Sequence, residues 1–305
     1  MKRLILLFSL ILFLTAQIKG FWFFGDSPKK GKLVLLHTND SHGRIKGCGC
    51  RHAGGGLVKR SYKIKQIKAE DSLVFVFDGG NVLFGDRDSD RSSGGFAVNA
   101  MNLMKYDVVN ITPYSFRFGI DSLKSLEMRA EFKMLSANIA DAKTDKLLFE
   151  PYVIVQKGEF KVGVIGITDP DAYERIPVSC KELVKALDYK PILTSTISKI
   201  KNDVDLIVLL SYSGWEKDKQ LAEDFPDIDV IIGAYDSKKE YLMMNETIIG
   251  QAYRDGKYLG RIDVEFPGVK DQALKMKGEI ISMENKDMDD EEMKELLKSF
   301  DIHNY

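Results

Sequence analysis

The chemistry in this chain gathers in a few short strings. Asp40-Ser41-His42 sets a carboxylate and an imidazole two residues apart. At the end of a strand, that spacing lets one oxygen and one nitrogen grip a divalent ion. A little further on, Cys48-Gly49-Cys50-Arg51-His52 places three soft or borderline donors in a glycine-rich stretch. Cys48, Cys50 and His52 can bind zinc or copper. Alternatively, Cys48 and Cys50 can close a strained, easily reduced disulfide, with or without a role. Other polar strings follow apolar runs: Asp78-Gly79-Gly80-Asn81, Thr112-Pro113-Tyr114-Ser115, Ser211-Tyr212-Ser213-Gly214 and Gly233-Ala234-Tyr235-Asp236-Ser237. Cys180 lies in a stretch of solvent-facing character and is assigned nothing.

Elements must bring these strings together. Apolar, Val- and Ile-rich runs of strand length cover 33–36, 73–77, 108–111, 134–137, 152–155, 162–167, 206–210 and 230–232. Helix-like segments at 57–68, 95–105, 121–131 and 191–201 lie between them. Continuous apolar runs are strands buried on both faces, so the order predicts an α/β fold. Ligands in such folds bind beyond the carboxyl ends of strands, where the strings above stand. One domain is expected over 32–282. The runs 247–252 and 258–266 flank Arg254-Asp255-Gly256-Lys257 and predict a hairpin. Lys59, Arg60, Lys63, Lys65 and Lys68 read as a solvated helix face. The charged tail 283–305 runs from acid to base, with Met293, Leu296, Leu297 and Phe300 on one face. It predicts a helix docked on the domain, or one offered to a partner.

The strings LLHTNDSHGRI, GGLVKR and FDGGNVLFG resemble the start of the 5′-nucleotidase branch of the calcineurin-like metallophosphoesterases. The resemblance continues in order through Tyr106-Asp107-Val108-Val109, Ser136-Ala137-Asn138-Ile139, Pro151-Tyr152, the stretch 161–168 and LAEDFPDIDVIIG, over roughly 33–260. It implies a four-layer α/β/β/α sandwich. The C-terminal substrate domain of full-length 5′-nucleotidases would need many more residues, so only the metallophosphoesterase part is expected. The cysteine string ahead of the glycines is similar to a bacterial sub-branch of the family.

The family holds two metal ions with seven protein ligands, and the resemblance carries these over one by one. Asp40 and His42 are intact. The bridging Asp of the Gly-Asp motif is Asn81, which offers a neutral oxygen in place of a charge. The Gly-Asn-His-Glu motif falls on Thr112–Ser115, so its Asn ligand becomes Pro113 and its catalytic His becomes Tyr114. Tyr212 replaces the His of Ser-His-x-Gly, and Tyr235 and Ser237 replace both His of Gly-His-x-His. A pair of dications needs shared negative charge to offset its repulsion. The expected protein is therefore a catalytically inactive binding or accessory member of the family, with no catalytic residue. Three alternatives stand beside it: a residual hydrolase using one divalent ion at Asp40, His42 and Asn81; a thiol redox or metal-binding protein built on the cysteine loop; and a hard iron held by the phenols. The tyrosines can equally plug an unused cleft, since phenols pack well and bond to neighbouring acids.

Of 305 residues, 44% are hydrophobic and 29% charged, with formal net charge -1. That excludes a disordered chain and gives no basic face for nucleic acid. Three cysteines are too few for a disulfide framework. Lys2 and Arg3 precede an apolar run over 4–16, the pattern of an export signal. The run is short of the ~20 residues a membrane span needs. Phe21, Trp22, Phe23 and Phe24 would suit a membrane interface were the segment retained as an anchor. Export is expected, to a periplasmic or other extracytoplasmic place. The partner is an unspecified small molecule or protein.

Overall fold

The computed structural model describes residues 28–47, 55–173, 181–269, 272–283 and 288–302. Its strands are β1 (Lys30–Thr38), β2 (Val74–Asp78), β3 (Val108–Asn110), β4 (Lys133–Leu135), β5 (Ile139–Asp141), β6 (Tyr152–Lys157), β7 (Phe160–Thr168), β8 (Val184–Ala186), β9 (Leu206–Tyr212), β10 (Val230–Gly233), β11 (Lys239–Met244), β12 (Thr247–Ala252), β13 (Tyr258–Pro267) and β14 (Lys275–Ser282). One sheet has the order β14-β13-β1-β2-β3-β4, the other β11-β12-β10-β9-β7-β6, and β5 pairs with β8. β1 to β4 run parallel, as do β7, β9, β10 and β12.

Side-chain alternation along β1 and β2 explains the layering. Leu33, Leu35, Phe75 and Phe77 point inward and meet Val164, Val208, Leu210 and Ile232 of the second sheet. Val34, Leu36 and Val76 point outward beneath helices α1 (Leu57–Glu70), α3 (Gly95–Leu103) and α4 (Ile120–Arg129), and the short α2 (Arg87–Arg91) precedes α3. On the second sheet, Ile165, Ile207 and Ile231 meet Leu193 and Ile197 of the helix Tyr189–Ile200 and Leu221 of the helix Trp215–Asp224. The result is the expected four-layer sandwich. Each fully buried Leu or Phe contributes roughly 1.5–3 kcal/mol. Beneath the strand ends, the Asn110 amide donates to the carbonyls of Gly79 and Ile167, at 3.1 and 2.9 Å, and so joins the two sheets.

Two expectations need correction. β12 and β13 do not form a hairpin: β12 lies beside β10 in one sheet, and β13 beside β1 in the other. Asn39 turns the chain between them, accepting the Ala252 N–H at 2.7 Å and donating to the Tyr253 carbonyl at 2.8 Å. The hairpins are β6–β7, β11–β12 and β13–β14. Nor is the basic run of α1 a solvated face. Arg60 is fully buried, Lys59 pairs with Asp289 at 2.7 Å, and Lys65 pairs with Asp290 and Glu292. These acids begin the helix Glu291–Ser299, whose buried Met293 and Leu297 join the core under α1 and α3. Among the described residues, no helix is long and apolar enough to cross a membrane. The N-terminal apolar run, Cys48, Cys50, His52 and Cys180 lie outside the described residues.

Candidate functional site

The loop after β1 is held beside the loop after β2 by backbone bonds. Gly79 N–H donates to Thr38 O, Asp40 N–H to Gly80 O and His42 N–H to Asn81 O, all at 2.9–3.0 Å. Asp40, His42 and Asn81 all adopt left-handed backbone, with φ of 46°, 51° and 63°. For residues other than glycine this is uncommon, and it gathers where function shapes a loop. The ladder thus brings the predicted Asp40, His42 and Asn81 together.

Asp40 and Asn81 bond side chain to side chain, while the Nδ1 of His42 faces Asp255. Asp40 is 1% exposed. Its Oδ2 accepts from Asn39 Nδ2 at 3.0 Å and from the Tyr235 N–H at 2.8 Å. Asn81 gives Asp40 a further side-chain hydrogen bond. Burial pushes the Asp40 carboxyl above its usual range, and those bonds, with His42, pull back. The Asn81 Oδ1 is left buried without a donor. His42 turns its Nδ1 to Asp255, 3.3 Å from Oδ1.

A cleft of about 420 Å³ opens above this floor. Its lining includes His42, Arg44, Asn81, Tyr114, Tyr212 and Asp255. Such a volume suits a small ligand. Tyr114 stands on the short 3-10 helix Pro113–Phe116 and is bonded through its hydroxyl by Arg117, at 2.5 Å. Tyr212 ends β9 and meets Tyr235 edge to face, with centroids 5.4 Å apart and planes at 82°. Tyr235 holds a strained φ of 94°, which aims its N–H at Asp40. Pro113 and Ser237 are not part of the cleft lining. Asp255 and Arg44 are cleft residues that sequence reasoning passed over. In the sequence pattern Asp255 is only a turn residue.

These residues do not fit a pair of ions. Asp40 spends its Oδ2 on protein donors, and Asn81 presents N–H to it where a bridging ligand would present charge. Among the described residues, no three His, Cys, Asp or Glu side chains group so as to hold a metal.

No family model matches the chain. A 5′-nucleotidase of Vibrio cholerae is 30% identical over 281 residues, which is 79% of this chain and 50% of that protein. The snake venom 5′-nucleotidase of Naja atra is 28% identical over 303 residues, covering 86% and 55%. The chain therefore spans about half the length of the curated relatives it matches. The 5′-nucleotidase precursor of Thermus thermophilus superposes with a TM-score of 0.75 at 25% identity, over 88% of this chain and 58% of that one. The calcineurin-like phosphoesterase YfkN of Bacillus subtilis superposes at 0.72 and 22% identity, over 90% and 97%. In sequence the chain is a homologue of the 5′-nucleotidases, and its fold is that of the calcineurin-like phosphoesterases.

Proposed function

We propose that this chain is an exported, non-catalytic member of the family that binds a ligand, as an accessory protein, in the cleft above Asp40. The observation that carries the reading is the state of Asp40. Two carboxylates side by side repel and call for cations between them, whereas a carboxylate and an amide bond directly. Asn81 satisfies Asp40 without a metal, and Asn39 and the Tyr235 N–H complete the shell. Tyr114 stands where the family has its acid–base His, and phenols stand where it has imidazole ligands. Losing the acid–base group alone typically removes roughly 100- to 10,000-fold of rate. Export rests on the N-terminal pattern of Lys2, Arg3 and the apolar run 4–16, and the secreted character of a venom relative agrees with it.

The test is an assay of the purified protein on AMP, a UDP-sugar and a generic phosphate monoester, with Mn²⁺, Zn²⁺ or Co²⁺. No turnover above background is expected. Enzyme-like turnover abolished by Asp40→Ala would overturn the reading. A second reading, hydrolysis with one ion at Asp40, His42 and Asn81, is favoured by the orphaned Asn81 Oδ1. Metal analysis of the protein as purified separates the two, since that reading requires one ion per chain.

A further inference from the structure

We propose that β14 (Lys275–Ser282) is an interaction surface for a second copy of this chain, paired edge to edge and antiparallel about a twofold axis at Gly278. The surface lies outside the cleft, so the inference does not depend on what the cleft binds. β14 ends its sheet. It has β13 on one side and, among the described residues, no strand on the other. Such an edge presents a row of backbone N–H and C=O groups to any strand that can lie beside it. Its side chains decide which strand that is.

They alternate along β14. Lys275, Lys277 and Glu279 are exposed, while Met276, Gly278 and Ile280 are half-buried. Met276 packs against the core between the sheets, and Gly278 lies under the Tyr241 ring. Antiparallel pairing centred on Gly278 sets Lys277 opposite Glu279 of the second copy, and the axis repeats that pair. On the other face the same register sets Met276 opposite Ile280, again twice. Slipping by two residues puts Lys277 on Lys277 or Glu279 on Glu279. Slipping by one turns every side chain to the wrong face. A lone edge lysine guards a sheet against pairing. A lysine and a glutamate placed evenly about a glycine select one register instead.

Both charges are available for this. Asp263 and Arg261 of β13 stand opposite Lys277 and Glu279 within the chain. Asp263 is already held by Lys32 and Arg261, and Arg261 also by Asp71, at 2.8–3.2 Å. Among the described residues, neither Lys277 nor Glu279 has an ion pair, whereas Lys275 reaches Glu265 at 3.4 Å. One added strand pair is a small interface, so the dimer is weak and salt-sensitive.

The experiment is sedimentation velocity of the full chain at low and high salt, over about two decades of concentration. The parent should pass reversibly from monomer to dimer, and salt should weaken the dimer. Lys277→Glu and Glu279→Lys each set like charges opposite one another twice per dimer, and should weaken it about tenfold. Mixed together, the two variants should associate, because every opposed pair in the mixed dimer is again Lys against Glu. The double reversal, Lys277→Glu with Glu279→Lys, should dimerise within about threefold of the parent. Both positions are exposed, so melting should change little in any variant. A parent that stays monomeric throughout overturns the proposal. So do single variants that dimerise like the parent, the result expected if another surface associates. A mixture of the two that fails to associate overturns it as well.

Discussion

At the scale of single residues, the difference between Asn and Asp at position 81 decides what the cleft can hold. The Asn81 amide bonds Asp40 directly, so the apo protein is already at rest. Asn81→Asp should place a second carboxylate beside a buried one and lower stability by about 1–3 kcal/mol. Mn²⁺ or Zn²⁺ should then raise the melting temperature of the variant and leave the parent unmoved. Equal metal responses in the two proteins would contradict this account of Asn81. Asp40→Ala carries the complementary prediction. It takes the acceptor from one Asn39 N–H, from the Asn81 amide and from the Tyr235 N–H together. The expected loss is about 2–4 kcal/mol by chemical denaturation in chelator. A carboxylate kept only for metals would, once removed, relieve an apo protein, so the sign of the change distinguishes the two roles.

At the scale of elements, the buried parallel strands were legible because both of their faces need apolar cover. Leu33 to Leu36 and Phe75 to Phe77 therefore read as unbroken runs. β11 and β14 were not legible. Each lies at a sheet edge and holds only exposed and half-buried residues, so neither leaves a run. The turn at Arg254-Asp255-Gly256-Lys257 was visible, yet a turn does not say whether its flanking strands share a sheet. Asn39, far away in sequence, decides that. The same turn also brings Asp255 to His42, a contact that no local spacing encodes. Gly256 shows how tightly the turn seats. Its φ is 62°, and an added Cβ would fall 1.5 Å from Nη2 of buried Arg60. Gly256→Ala should cost more than about 3 kcal/mol or prevent folding. Gly119, with φ of 90° and nothing within 4 Å, is the control. There the same change meets no neighbour and should cost about 1–3 kcal/mol of backbone strain alone, since φ of 90° with ψ of 167° suits glycine. Comparable unfolding midpoints for the two variants would show that the turn can yield.

At the scale of the whole molecule, two buried groups set opposing pH slopes. His37 lies inside β1, with Nε2 2.7 Å from the Tyr241 hydroxyl, and burial lowers it from 6.5 to about 3. Between those values the unfolded chain holds the extra proton, so stability is full above about 6.5 and drains as pH falls toward 3. Asp78 takes donors from Thr38 Oγ1 and the Gly80 N–H, yet burial raises it from 3.8 to about 7. There the folded chain holds the extra proton, so its contribution is full below about 4 and is lost as pH rises through 7. Each slope is about 1.4 kcal/mol per pH unit, and from pH 4 to 6.5 these two offset each other, while buried Asp229, raised to about 6, and buried Asp218, raised well above its usual range, add to the falling slope. Relative to the parent, Asp78→Asn should therefore gain stability with rising pH across that window, and His37→Gln should lose it. Urea midpoints at pH 4.5 and 6.5 check both, and a variant that keeps the parent's pH profile would exonerate its residue. The Asn110 amide has a kinetic consequence. Because it joins the ends of β2 and β7 under the cleft, these two strands give the cavity no hinge about which to shut. Whatever enters should do so in a single phase, with a rate that climbs linearly with concentration in stopped-flow mixing and never reaches a plateau.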